Sequence, residues 1–567
     1  MMERPHHLRL HAVVFLLVAQ LAGRAFAQPT VGSPNTVTAD PPVSRPATSP
    51  CIVQLYTNFQ FADFSPKPFN YAPPAACPGP WARVVLEADF AVTAGRQFDR
   101  TAQIALGHVN IYYGTTQEPS RTVAPSWHVE RDLTDYGALF ASAQTGEVNL
   151  GNLVNSTFTG ILSGSARLLF YPASAAAPAP RAADLVLSLS DAPGGAALLA
   201  TTASTLAPTL SLPRNIEGAY LDLITQSQSG DEFWYACVPD DVADQLFSCG
   251  GTSFREAQVT VDGQPAGIAP VYPWLFTGAI DPLLWRPIPG VQALNFVPFR
   301  VDLTPFAGLL SNGQPHQVGV SVFNANNYFL VSGSLLLFLD RGSLQVTGAV
   351  TRNTLAAVPT PAIMENLTTG ADGSISGTVA VSSRREFRLE GYVNTSHGRI
   401  DTQVEQKVSF SNDQRFVLSD TRFEQDIVQR TEIATETETG TGHGNSRVRT
   451  ETQLSYPLDL AIVQVLNADG SVAQTTTVDQ KFLADLERHG HGPSFDSEVS
   501  NAMASADTLI FGTDGSVVSR PGRISSQTYF AKSDDACYSR TITATDGLLT
   551  AVTDGAGCGH GHGHGDD

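Results

Sequence analysis

Short runs of alternating apolar and polar residues, each closed by glycine or proline, fill the chain from residue 81 to about residue 345. WARVVLEADFAV and QIALGHVNIYYG are the first clear examples. The period of two is that of β-strands with one buried face. Between Arg214 and Asp340 the pattern continues through RNIEGAYLDL, GDEFWYACVPDD, FREAQVTVDG, PWLFTGAIDPLLWRPI, VDLTPFAGLL and SLLLFLD, so strand-like pieces alternate with turns. From 375 to 480 the runs lengthen and fill with Thr and Ser, as in SISGTVAVSS and RVRTETQLSYPLDLAIVQV, which reads as extended hairpins with one wet face. Sustained helical periodicity is absent before residue 480. The fold class predicted is all-β: two consecutive jelly-roll-like antiparallel β-sandwiches plus a C-terminal β-rich region.

An internal echo supports the pair of sandwiches. Arg131-Asp132-Leu133-Thr134-Asp135-Tyr136 precedes GALF, and Val301-Asp302-Leu303-Thr304-Pro305-Phe306 precedes AGLL. In each, Asp-Leu-Thr reads as the cap of a helical turn between strands. The domains expected are 51–205 and 206–345 for the sandwiches, with AAAPAPRAA as a loop or hinge between them, and 346–555 for the C-terminal region. Residues 28–50, rich in Pro, Ser and Thr, are expected to be a disordered leader, and 556–567 a flexible His/Gly-rich tail. Residues 1–27 have a basic start, a short apolar run and Ala25-Phe26-Ala27, which is signal-peptide grammar and predicts a secreted or periplasmic product.

Composition narrows the function classes. The 567 residues carry a formal charge of −20, the wrong sign for a nucleic-acid partner. No later stretch of about 18 uncharged apolar residues appears, so no membrane span is expected, and the protein is read as a monomer. The six cysteines fall into sequence-near couples without CxxC spacing, predicting disulfides Cys51–Cys77, Cys237–Cys249 and Cys537–Cys558 rather than zinc or thiol-redox chemistry. No metal site or cofactor is expected, and the GHGHGHGDD ending reads as a tail because its glycines preorganise nothing.

The turns hold carboxylates beside aromatic rings, the pairing a sugar-handling site needs. Asp231 and Glu232 precede Phe233, Trp234 and Tyr235, and Asp281 precedes Trp285. Neighbouring carboxylates can raise one pKa into a useful range or can flank a turn. Asp99 and Arg100 are either a catalytic carboxylate with its orienting cation or a surface ion pair. Trp127, Trp234, Trp274 and Trp285 are either stacking platforms or core. No GxSxG elbow, HExxH helix or phosphate loop is present.

The series CPGPWARVVLEADF, GRQFDRTAQIALG, TQEPSR, WHVERDLTDY, DEFWY, FREAQVTVDG, PWLFTGAIDPLLWRPI, VDLTPFAGLL and SLLLFLD resembles the plant and microbial peptide-N-glycosidase A family from about residue 51 to 345. More distantly, the segment around Asp99-Arg100 and LPRNIEGAYL are similar to the two jelly rolls of peptide-N-glycosidase F. The resemblance implies a metal-independent amidase that hydrolyses the bond between the asparagine side-chain carbonyl and the glycosylamine nitrogen of N-glycosylated peptides or proteins, core-fucosylated glycans included. It places the primary carboxylate at Asp99, with Arg100 beside it and Glu232 as partner; Glu256 in FREAQV is the runner-up. Where relatives have a glutamate in an L-E-N-V-V stretch, this chain has Leu150-Gly151-Asn152-Leu153-Val154, and Glu118 is the candidate replacement. Asp231, Trp234, Tyr235, Trp127 and Trp285 complete the expected substrate-binding set. The competing expectation is a secreted non-catalytic carbohydrate-binding protein, because jelly rolls serve both roles.

Overall fold

The structure, a computed structural model, describes residues 29–441, 446–490, 494–534 and 536–558. The expected signal peptide and most of the His/Gly tail lie outside them. Every strand pairing among the described residues is antiparallel. The first sandwich stacks the sheet Cys51–Phe61, Leu162–Pro172, Trp81–Val92, Ser126–Asp132 on the sheet Lys67–Tyr71, Gln144–Asn149, Thr101–Leu106, Val109–Thr115. Its core takes every second residue of the central strand, from Val84 and Leu86 through Ala88 and Phe90 to Val92, and closes them on Ile104, Ile111 and Tyr112.

The second sandwich repeats the arrangement, with Phe329–Leu339 and Ile216–Ser227 central in one sheet and His316–Phe323 and Glu256–Val261 in the other. The echo is structural. Asp132 and Asp302 each accept the backbone N–H of the threonine two residues on (2.9 and 2.8 Å), and each threonine hydroxyl accepts a strand N–H, from Val84 and Ala219 respectively. The boundary between sandwiches falls earlier than the expected 205: Leu185–Ser188 and Ala196–Leu199 both pair with Phe329–Leu339 and belong to the second. They are too short to carry an alternation that would assign them from sequence.

The C-terminal region is a single sheet of thirteen strands from Thr347–Asn353 to Leu548–Asp554, with central strands of about twenty residues. One face is wet. The other carries Val381, Phe387, Phe410, Tyr456 and Phe482 into the core of the second sandwich. All three expected disulfides form. No helix of the described residues is long and apolar enough to cross a membrane.

Residues 29–50 contain no helix or strand, yet they are not a disordered leader. Val43 packs on Val85, Leu169 and Tyr171 on the outer face of the first sandwich, and Arg45 bridges Glu87 and Glu130 at 2.7 Å. At the other end Asp40 accepts hydrogen bonds from Asn501 and Gln527 of the C-terminal sheet. Side-chain ion pairs and amide bonds, rather than a periodic apolar face, hold this segment, which is why its sequence reads as unstructured.

Candidate functional site

Asp99 and Glu118 are brought together by one hairpin. Thr101 faces Thr115 across the Thr101–Leu106 and Val109–Thr115 ladder, and Arg100 and Thr116 extend it by exchanging hydrogen bonds of 2.9 Å. One residue further back on the first strand and two further on along the second, Asp99 meets Glu118, whose Oε1 accepts the Asp99 N–H at 3.3 Å. The loop before Asp99 is pinned by Gln97, which is buried and donates to the carbonyls of Leu153 and Gly160.

The second sandwich supplies the opposite wall through residues 271–298, a long irregular segment. It lies along Val109–Thr115, the edge strand of the first sandwich: Thr115 donates its N–H and its hydroxyl to the carbonyl of Ala293, Tyr112 donates to Leu294, and the Phe296 N–H donates to Tyr113. Thr277 donates to the Thr116 carbonyl at 2.6 Å, and Gln117 to that of Trp285 at 2.9 Å. An edge strand is thereby covered, and Gly278 and Arg286 are delivered to the carboxylates. Arg286 donates to Glu118 Oε2 at 3.0 Å, and the Gly278 N–H hydrogen-bonds the Asp99 carboxylate. A Cβ on Gly278 would lie 2.5 Å from Asp99 Oδ1 and 2.8 Å from Glu118 Oε1. Gly278→Ala should therefore push the two carboxyl groups out of place and lower kcat by about 10²-fold while leaving the thermal unfolding midpoint nearly unchanged; unaltered turnover would show that this close approach is not used.

Glu232 arrives from the turn after Ile216–Ser227. Burial, reinforced by the negative charge of Asp99, raises its pKa to about 7. No ion-pair partner is found for it among the described residues. Its neighbour Asp231 is fully buried: one oxygen accepts the N–H groups of Asn326, Asn327 and Tyr328, and the other pairs with Arg255 at 3.0 Å. Asp231 thus fixes the turn that presents Glu232 and has no face left for a substrate. Burial raises the Asp99 pKa to about 6, opposed by the hydrogen bond from Gly278 and the charge of Arg100. Burial and then the Asp99 charge raise Glu118 to about 7, with Arg286 opposing. The charge of Asp99 thus disfavours ionisation of both Glu118 and Glu232.

The other expected residues are placed as follows. Arg100 lies beside Asp99, but its guanidinium donates to Gln97 Oε1 at 2.9 Å, so it reaches Asp99 through its field. Glu256 is buried and paired with Arg385 of the C-terminal sheet at 3.0 Å, away from the cluster. Trp234 and Tyr235 are core residues against Phe410 and Asn412. Trp285 is fully buried and anchors the 271–298 segment through its bond to the Ala279 carbonyl. Trp127 stacks on Phe90 and lines a cavity of about 1090 Å³ between residues 29–43, the first sandwich and the C-terminal sheet; none of Asp99, Glu118 and Glu232 borders that cavity. The exposed ring beside Asp99 is instead Phe98, 47 % exposed and 5.1 Å from Phe158, with Arg96 and Arg100 over the pair. Sequence reading missed Phe98, Phe158, Gly278 and Arg286. Only Arg286, a charge inside an aromatic run, carried a visible signal.

Two antiparallel sandwiches clasped around a shared carboxylate cluster define a two-lobed β protein whose candidate site is assembled from both lobes. The chain belongs to the peptide N-acetyl-β-D-glucosaminyl asparaginase amidase A family, whose family model matches residues 40–356, a span that contains every residue of the cluster. It is 33% identical over 394 residues to a peptide-N4-(N-acetyl-β-glucosaminyl)asparagine amidase A from Prunus dulcis, covering 65% of this chain and 67% of that protein. Among solved structures, PNGF-II aligns over 51% of this chain and 65% of its own length at 12% identity and a TM-score of 0.35. A peptide-N(4)-(N-acetyl-β-D-glucosaminyl)asparagine amidase aligns over 51% and 96% at 13% identity and a TM-score of 0.34.

Proposed function

We propose that the protein hydrolyses the amide joining N-acetylglucosamine to asparagine in glycopeptides and glycoproteins, core-fucosylated ones included, and that it works outside the cytoplasm. Three disulfides support the oxidising location. The observation that carries the reaction is the juxtaposition of Asp99, Glu118 and Glu232, drawn from two sandwiches, inside a chain of this family. Asp99, ionised, takes a proton from water as the oxygen attacks the asparagine Cγ. Glu118, held by Arg286, sets the position of Asp99 through its N–H. Glu232, protonated, donates to the amide nitrogen as the C–N bond breaks. Water and glycosylated asparagine become aspartate and a glycosylamine, and the proton gained by Asp99 passes through solvent to re-protonate Glu232, so no group is left on the enzyme. Phe98 and Phe158 offer the apolar face that a pyranose ring stacks on.

Incubating a defined glycopeptide with the protein tests this by mass. Release of the whole glycan with conversion of asparagine to aspartate is expected. A peptide keeping one N-acetylglucosamine would make it an endoglycosidase, and retention without cleavage a lectin. The same assay gives the pH profile. Because Asp99 must be ionised and its pKa is about 6, kcat/KM should rise with pH through about 6; because Glu232 must be protonated and its pKa is about 7, it should fall again above about 7. A profile that stays level from about pH 4 to about pH 9 would remove the paired roles.

A further inference from the structure

We propose that Glu217, Asp340 and His397 form a site for a divalent first-row transition ion of the zinc type, tying the second sandwich to the C-terminal sheet. Glu217 begins Ile216–Ser227 and Asp340 directly follows Phe329–Leu339; the pairing of Ile216 with Leu339 sets the two carboxylates side by side. His397 comes from the other body, in the tight turn between Ile375–Thr395 and Gly398–Ser419. That turn is already docked on Asp340, whose Oδ2 accepts the Ser396 N–H at 2.6 Å and whose Oδ1 accepts the Ser396 hydroxyl at 2.7 Å and the Gly342 N–H at 2.9 Å. One ligand atom from each of the three residues lies within 4.8 Å of the others.

The second observation is Glu217 itself. It is only 2 % exposed, Arg181 engages its Oε1, and its Oε2 is buried without accepting any hydrogen bond. A buried carboxylate oxygen without a hydrogen bond is costly, and its ion-pair contact is with His397 Nε2, 3.4 Å away. That separation is the edge of a tetrahedron built on metal–ligand bonds of about 2.1 Å. One imidazole nitrogen with two carboxylate oxygens suits zinc and its neighbours better than calcium or magnesium, which prefer all-oxygen shells. His397 is 40 % exposed, so an ion can enter and keep water in its remaining position. The hydrogen bonds from Ser396 and Gly342 fix the Asp340 carboxylate as outer-shell partners do. Two carboxylates beside Arg181 leave one net negative charge for the ion to neutralise.

The test uses the full-length chain with His560, His562 and His564 changed to alanine, so that the terminal histidines bind nothing. After chelator treatment, zinc chloride is added and followed by titration calorimetry and by thermal unfolding. One equivalent of zinc should bind and raise the unfolding midpoint by several degrees, since an ion held only by the folded state stabilises it. Calcium chloride should do neither. His397→Ala, a change at a part-exposed turn, should abolish both effects, and Glu217→Gln should weaken binding by at least about 10-fold. Absence of zinc binding, or equal binding by the His397→Ala chain, overturns the proposal.

Discussion

Asp99→Asn is expected to lower kcat by about 10²–10⁴-fold, the range for loss of a general base, with little change in KM. The same change should stabilise the fold. The folded carboxyl has its pKa raised from 3.8 to about 6, so the folded state binds a proton more tightly than the unfolded one. Its contribution to stability is complete below about 3.8 and is lost as pH rises through about 6. Asparagine cannot ionise, so the variant keeps what the wild type loses, and its unfolding midpoint should exceed the wild type's at pH 8 while nearly matching it at pH 4. Loss of activity with gain of stability is what a buried carboxylate kept for catalysis at a cost in stability gives. Near-normal glycan release by the variant ends the assignment, and a fall in both properties makes Asp99 a scaffold residue.

The second large effect is expected at a residue that touches no substrate. Asp231→Ala leaves Arg255 buried with its charge uncompensated and removes the acceptor for three backbone N–H groups. Breaking one side of a buried ion pair costs about 3–5 kcal/mol. The turn that presents Glu232 depends on those bonds, so activity should fall with stability. Asp231→Asn keeps the shape and some of the acceptor capacity and should recover part of both. Urea unfolding with the glycopeptide assay separates the cases: an unchanged midpoint in Asp231→Ala would show that the pair does not hold the turn, and full activity of the folded variant would show that it does not position Glu232.

How far the sequence could be read follows from what each feature depends on. Strand patterning and the Asp-Leu-Thr repeat are local, and both were visible: alternation around Phe90 and Val92 corresponds to a real strand, and Asp132 and Asp302 each close a turn onto the threonine N–H, while the cap positions fall on Leu133 and Leu303, which make no side-chain cap bond. Residues 29–50 were misread because ion pairs to Glu87 and Glu130, more than 40 residues away in sequence, replace a periodic apolar face. The Asp99–Glu118 pairing needed a hairpin register, which no spacing prints. Aromatic letters misled most. A tryptophan in an irregular segment reads as a platform, yet Trp285 and Trp274 are the buried pins that let 271–298 hold its shape without a strand or helix, and the ring beside Asp99 is a phenylalanine. Arg286 and Gly278 act across a lobe boundary, so their meaning exists only in three dimensions.

The segment 271–298 belongs by chain order to one sandwich and by hydrogen bonding to the margin of the other. Neither half is then a transferable module: a chain divided at 173–184 would leave Val109–Thr115 with unpaired backbone and no Gly278 to approach Asp99. Inheritance of this fold therefore favours keeping both halves as one unit, and recombination that swaps a single sandwich between relatives would have to carry the 271–298 strap along with the strand it clasps.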